Sequence, residues 1–208
     1  MTAGQTILAG VAAYYSAKVA AHGPTPGGAD WNSSESQELR FEQLFRLCDA
    51  PPNFSVNDYG CGYGALAAFL RRRGLRGPYC GFDVAPAMLA EARRFTAGLG
   101  DCSFVDDPAR LAPADYTLAS GIFNVRLDVP TDAWERHVEA TLAHMATVSR
   151  LGFAFNMLTA YADPERMRKD LYYGAPLAYF ALCRGFSRRV ALLHDYPLWE
   201  FTLLVRLP

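Results

Sequence analysis

The sequence predicts a doubly wound α/β domain: a mostly parallel sheet between helical layers, finished by an antiparallel hairpin. Three observations carry this expectation. From residue 54 onward, short runs rich in Val, Phe, Tyr and Cys alternate with stretches of helical length and period, the pattern of successive βα units. A glycine cluster, Gly60, Gly62 and Gly64, falls where the first of these runs meets the first following helix. The last two runs, residues 189–193 and 201–207, are joined by too few residues for a parallel crossover, so they must pair antiparallel.

The elements follow in order. A helix is expected over residues 5–20, broken by the Gly/Pro-rich segment 22–28. Ser33 or Ser34 caps a second helix that runs to about Cys48 and stops before Pro51-Pro52. Residues 54–58 form the first strand and 65–73 a helix ending at Gly74. Residues 79–83 form the second strand, and Pro86 opens the next helix at its favoured first position. Residues 102–105 and 116–120 are strands. Thr131 or Asp132 caps a helix to Val148, residues 151–156 form the fifth strand, and 164–184 are helical with an interruption near 174–176. The two hairpin runs bring the total to seven strands. At 208 residues this is one domain, with 1–50 as a helical N-terminal cap and 51–208 as the core.

Composition narrows the function. The formal net charge is -1, which argues against a nucleic-acid partner. The basic cluster Arg71-Arg72-Arg73 with Arg76 lies at a helix end, where cations complement the dipole. Five scattered cysteines without a CxxC pair suggest neither a zinc site nor a disulfide framework; a reducing, cytoplasmic compartment fits. The apolar stretch 7–13 has no basic region before it and suits an amphipathic helix better than a signal peptide. No apolar run is long enough to cross a bilayer. Oligomeric state is not legible.

Asp58-Tyr59-Gly60-Cys61-Gly62-Tyr63-Gly64-Ala65 places a glycine turn between a strand and a helix, where backbone can approach a ligand closely. Asp83 ends the next strand, 23 positions beyond Gly60, where a nucleotide-binding unit presents a carboxylate to ribose hydroxyls. Alone, the turn reads as structural and Asp83 as a cap. Gly60, Gly62 and Ala65 also satisfy a relaxed dinucleotide pattern, so an NAD(P)-dependent oxidoreductase competes. Asp58 weighs against it: a carboxylate at the loop repels a pyrophosphate and favours a sulfonium or an α-amino group.

Asp58-x-Gly60-x-Gly62-x-Gly64 resembles the first motif of class I S-adenosylmethionine-dependent methyltransferases, and Gly81-Phe82-Asp83-Val84 with Met88 resembles the second. The strand order ending in a hairpin is similar to that family's Rossmann-like fold over residues 54–208. The resemblance implies that Asp58, Gly60, Cys61, Gly62 and Gly64 hold the methionine part of S-adenosyl-L-methionine. It also implies that Asp83 binds both ribose hydroxyls, with Val84 and Met88 beside the adenine or ribose. One of Asp106 and Asp107 faces the adenine amino group, and Ser120 and Gly121 complete the cofactor side. Trp31, in a polar loop before a helix, is a candidate lid.

Acceptors bind outside the carboxyl ends of parallel strands. That rim gathers Asn124 and Tyr161 from loops and His194 from the end of the sixth strand. His194 is the best-placed candidate for a general base, though a histidine so placed serves more often in structure or substrate contact. His137 and His144 share a helix with Val138, Leu142 and Met145, and are expected in core or solvent. The pairs Tyr14-Tyr15 and Tyr172-Tyr173 can close a site or pack in the core. No Pro-Cys dipeptide marks a cytosine C5 nucleophile, and Ser120-Gly121-Ile122-Phe123 replaces the Pro-Pro motif of amino-methylating enzymes. The expectation is a metal-free enzyme acting on a small molecule. The alternatives are an oxidoreductase and a non-catalytic cofactor-binding partner subunit.

Overall fold

A computed structural model describes residues 3–208. Seven strands form one sheet: β1 (Val56–Tyr59), β2 (Tyr79–Phe82), β3 (Cys102–Val105), β4 (Ala114–Ala119), β5 (Ser149–Leu158), β6 (Arg189–Leu193) and β7 (Glu200–Arg206). Their spatial order is β3-β2-β1-β4-β5-β7-β6. The first five run parallel, and β7 is antiparallel to both β5 and β6. β6 therefore points the same way as the first five. The helices are α1 (Ala3–His22), α2 (Ser34–Phe45), α3 (Ala65–Arg72), α4 (Pro86–Phe95), α5 (Thr131–Thr147) and α6 (Pro176–Arg184).

Strand periodicity divides the core. Phe153 and Phe155 point into one apolar cluster with Trp134, Val138 and Leu142 of α5, while Ala154 joins the other. That second cluster holds Leu44 of α2 and Leu66 and Leu70 of α3. Side chains alternate across a strand, so α5 and α6 cover one face and α2 and α3 the opposite one. Burying both faces explains why the strands read as apolar runs rather than alternating ones. α1 packs instead on α4, through Val19, Ala85 and Met88.

Several boundaries depart from the sequence reading. Ser33 caps α2 by accepting from Ser36 N–H at 3.1 Å, but that helix ends at Phe45. Pro130 occupies the cap position of α5, so Thr131 is its first helical residue and supplies no side-chain cap. Residues 164–175 are mostly not helical. Only Pro164–Arg166 makes a 3-10 turn, and the backbone beyond is drawn into bridges pairing Val125 with Leu171 and Thr159 with Gly174. Those ladder contacts outcompete helix formation until Pro176 starts α6. Among the described residues, no helix is long and apolar enough to cross a membrane.

Candidate active site

β1 ends at Tyr59, and the chain turns into α3 through glycines at positive φ: 82° at Gly60, 52° at Gly62 and 86° at Gly64. Only glycine takes up such angles without strain. A side chain at Gly62 would meet nothing within 4 Å, because that position opens on a cavity. Gly64 differs. It caps α3, and a Cβ there would lie 2.8 Å from Thr96 Cγ2, so it is a packing residue outside the cavity wall. The turn is tied to β2: Gly60 and Cys61 both donate to Phe82 O at 2.8 Å. Gly62 N–H donates to Asp83 Oδ2 at 2.8 Å, and Ala85 N–H to Oδ1 at 2.9 Å.

The cavity measures about 320 Å³. It gathers Trp31, Asp58, Gly60, Cys61, Gly62, Asp83, Val84, Met88, Ser120 and Gly121, all expected from the sequence. Tyr15 of α1, from a pair that the sequence allowed to close a site or pack in the core, is also in the wall, with residues that the sequence reading missed: Leu8 and Val11 of α1, Gln37 and Phe41 of α2, Tyr63, Ile122, and Trp134, His137, Thr141 and His144 of α5. Positions 134, 137, 141 and 144 share one helix face. That periodicity was the available signal, but it looks the same whether the face meets a core or a cavity. His137 and His144 were expected in core or solvent, and both stand in the wall.

Two carboxylates lie close together inside. Asp58 is 2% exposed and accepts from the Tyr79 hydroxyl at 2.5 Å. Burial pushes its pKa up to about 7, against the Tyr79 hydrogen bond and with some help from Asp83. Burial likewise raises Asp83 to about 6, with the N–H groups of Ala85, Gly62 and Val84 opposing. Burial lowers His137, and lowers His144 against the pull of Asp107. Ser120 Oγ and His144 Nδ1 are buried in the wall without a hydrogen-bond partner, places where a ligand's polar groups would be satisfied. Tyr63 donates to Gln37 Oε1 at 2.9 Å, joining the turn to α2.

The N-terminal cap is fastened over this cavity. Asp30 accepts from Tyr14 OH at 2.7 Å and Lys18 Nζ at 2.6 Å, pinning α1 to the loop before Trp31. The Arg40 guanidinium lies 4.2 Å over the Trp31 ring. Trp31 presses on Gly121, where φ is 70° and a Cβ would fall 2.0 Å from Trp31 Cη2.

Other expected site residues do not converge here. His194 and Tyr161 are exposed and pack edge-to-face on each other, with ring centres 6.0 Å apart. The reason lies in the strand order. β6 does run parallel to β1–β5, but β4, β5 and β7 separate it from β1. Four strand spacings put it roughly 19 Å away. Asn124 is buried as a brace, accepting from Leu158 N–H at 3.1 Å. Tyr172 donates to Glu135 at 2.9 Å, and Tyr173 accepts from Arg168 N–H at 3.0 Å. With Tyr179, this tyrosine pair lines a separate cavity of about 280 Å³. Asp106 is exposed and paired with Arg110. Asp107 caps the 3-10 turn Pro108–Arg110 through Ala109 N–H, yet lies near enough to act electrostatically on Tyr59 and His144. Among the described residues, no group of three or more His, Cys, Asp or Glu side chains is placed to hold a metal ion.

Comparison with known proteins bears on this arrangement. A family model described as a methyltransferase domain matches residues 56–152. Rv1506c of Mycobacterium tuberculosis, which bears the name of a methyltransferase, is 49% identical over 162 residues, covering 77% of this chain and 98% of that one. The trans-aconitate 2-methyltransferase of Escherichia coli is 36% identical over 89 residues, which is 39% of this chain and 34% of that enzyme. Among solved structures, a DhpI–SAH complex superposes with a TM-score of 0.64 at 18% identity, covering 97% of this chain and 98% of that one. The N-methyltransferase NodS of Bradyrhizobium japonicum, in complex with S-adenosylhomocysteine, gives 0.62 at 16% identity, covering 83% and 87%. These structural likenesses speak for the fold.

Proposed function

The chain belongs to the class I S-adenosylmethionine-dependent methyltransferases, and from that premise we propose that the cavity at the glycine turn holds the donor beside a small-molecule acceptor, with no metal involved. One observation carries the reading: Asp83, held by two backbone N–H groups, stands in the same apolar cavity as Asp58 and the open side of Gly62. Bound there, S-adenosylmethionine supplies an electrophilic methyl carbon on a sulfonium.

Asp83 keeps lone pairs free on both oxygens and would accept from the ribose hydroxyls. Asp58 offers negative charge to the cationic methionine end. Val84, Met88 and Ile122 provide apolar walls for the adenine. His144 and Thr141 line this cavity, and Asp107 acts on His144, which supports Asp107 rather than Asp106 on the adenine side. Leu8, Val11 and Phe41 of the cap form an apolar wall, which favours an acceptor with an apolar body. Methyl transfer needs nucleophile, carbon and sulfur in line, so positioning in a closed cavity supplies much of the rate. A base is needed only for a nucleophile that is protonated at working pH.

The basic cluster offers little to nucleic acid. Arg72 and Arg73 pair with Glu38 and Glu42, while Arg71 turns inward to the carbonyls of Leu99, Leu75, Gly77 and Asp101. Differential scanning fluorimetry tests the central reading. S-adenosylhomocysteine should raise the melting temperature, since it binds the native state alone, and NADH should not. A shift with NADH and none with S-adenosylhomocysteine overturns it.

A further inference from the structure

The wall at Ser120–Gly121 is braced from behind by three buried polar side chains that do not line the cavity. Gly121 donates its N–H to Asn156 Oδ1 at 2.8 Å. Asn156 Nδ2 donates to Glu200 Oε2 at 2.6 Å. Arg40 Nε lies 2.9 Å from both Glu200 oxygens, and a second Arg40 nitrogen also bonds Oε1. Arg40 stacks on Trp31, which lies against Gly121, so the contacts close into a ring. Arg40 is 7% exposed, Glu200 1% and Asn156 0%.

A buried ion pair is a poor way to fill a core, because apolar side chains of similar volume commonly serve stability as well or better. What this one does is set an orientation. A carboxylate can only accept, so Glu200 must face the amide nitrogen of Asn156, and the amide oxygen is turned to Gly121. Arg40 occupies the remaining lone pairs of Glu200 and holds it in place.

The Ser120–Gly121 peptide is trans, and the two polar groups of a trans peptide point to opposite sides. With the N–H tied back to Asn156, the Ser120 carbonyl of the same peptide is turned toward the cavity. We infer that Arg40, Asn156 and Glu200 are positioning residues, which fix this carbonyl as an acceptor for the α-ammonium of the methyl donor. Asp58 and the carbonyl then share the cation, one by charge and one by direction. The inference rests on the cavity being the donor site.

Two probes separate this role from a structural one. S-adenosylhomocysteine carries the α-ammonium; 5′-methylthioadenosine keeps the adenosine and sulfur but lacks the amino-acid end. Calorimetric titration of Asn156→Ala should show S-adenosylhomocysteine bound about tenfold more weakly, and methylthioadenosine within about twofold of wild type. Equal weakening of both, or of neither, overturns the inference. If Asn156→Ala does not fold, Arg40→Lys keeps the charge while losing the planar fork, and the same ratio of affinities should move the same way. Wild-type protein that binds neither compound removes the donor reading and this inference with it. Wild-type binding, with variants that treat both compounds alike, removes only the inference.

Discussion

The carboxyl ends of β1 and β2 and the carboxyl end of β6 lie on one rim of one sheet, yet they are built oppositely. At the first, Asp58 and Asp83 are buried, Asp83 accepting from the N–H groups of Gly62 and Ala85 and Asp58 from the Tyr79 hydroxyl. At the second, His194 and Asp195 are exposed, and His194 packs against an exposed Tyr161. A carboxylate out of water is costly unless it has work to do, whereas a solvated histidine costs nothing. The contrast separates an end where the chain bears the cost of desolvation from one where polar residues merely face outward.

The sharpest test is Asp83→Ala. Loss of charge-assisted hydrogen bonds, each roughly 1.5–3 kcal/mol, should weaken S-adenosylhomocysteine binding at least a hundredfold, with circular dichroism unchanged. Calorimetry reads it, and unchanged affinity in a folded variant would erase the distinction between the two ends.

Gly121→Ala probes how tightly the buried end is built. The new methyl would have to displace Trp31 at a positive φ, an overpacking of roughly 1–3 kcal/mol, measurable by urea unfolding. Gly62→Ala, where space is open, should cost less.

A pH series sharpens the electrostatic side. Both carboxyls hold a proton more firmly folded than unfolded, with pKa values raised to about 7 and about 6 from 3.8. Their contribution to stability is therefore complete below about pH 4 and is lost as pH rises through 6 and 7. The unliganded melting temperature should fall over that interval, and Asp58→Asn should flatten the fall. Affinity for S-adenosylhomocysteine should move the other way and rise with pH, because the ionised carboxylates attract its ammonium. Parallel trends would refute the assignment.

The smallest effect is expected from His194→Ala: stability within about 0.5 kcal/mol of wild type and unchanged affinity for S-adenosylhomocysteine. A loss of donor binding in that variant would break the comparison outright.

What was legible from the chain follows from how local each feature is. Gly60, Gly62 and Asp83 could be read because a strand–turn–helix with a following strand determines their geometry within some two dozen residues. The face of α5 was visible as a period, but not its destination, since sequence spacing does not say that His137 and His144 meet a void. The ring through Arg40 and Glu200 joins residues 160 positions apart and left no trace in any local pattern. His194 was misplaced for a related reason. Its strand direction was read correctly, but β7 enters between β5 and β6 and pushes it to the far edge.

That insertion has a consequence in time as well as space. β7 follows every other strand in the chain yet lies inside the sheet, flanked by β5 and β6. During synthesis, Arg40 leaves the ribosome long before Glu200, and until β7 docks its guanidinium lacks the Glu200 carboxylate. The cavity wall at Ser120–Gly121 is thus expected to be among the last parts of the molecule to order, a closure of high contact order that follows formation of the local βα units. A nascent chain arrested before residue 200 would carry the whole glycine turn and Asp83, and still lack the brace behind Gly121.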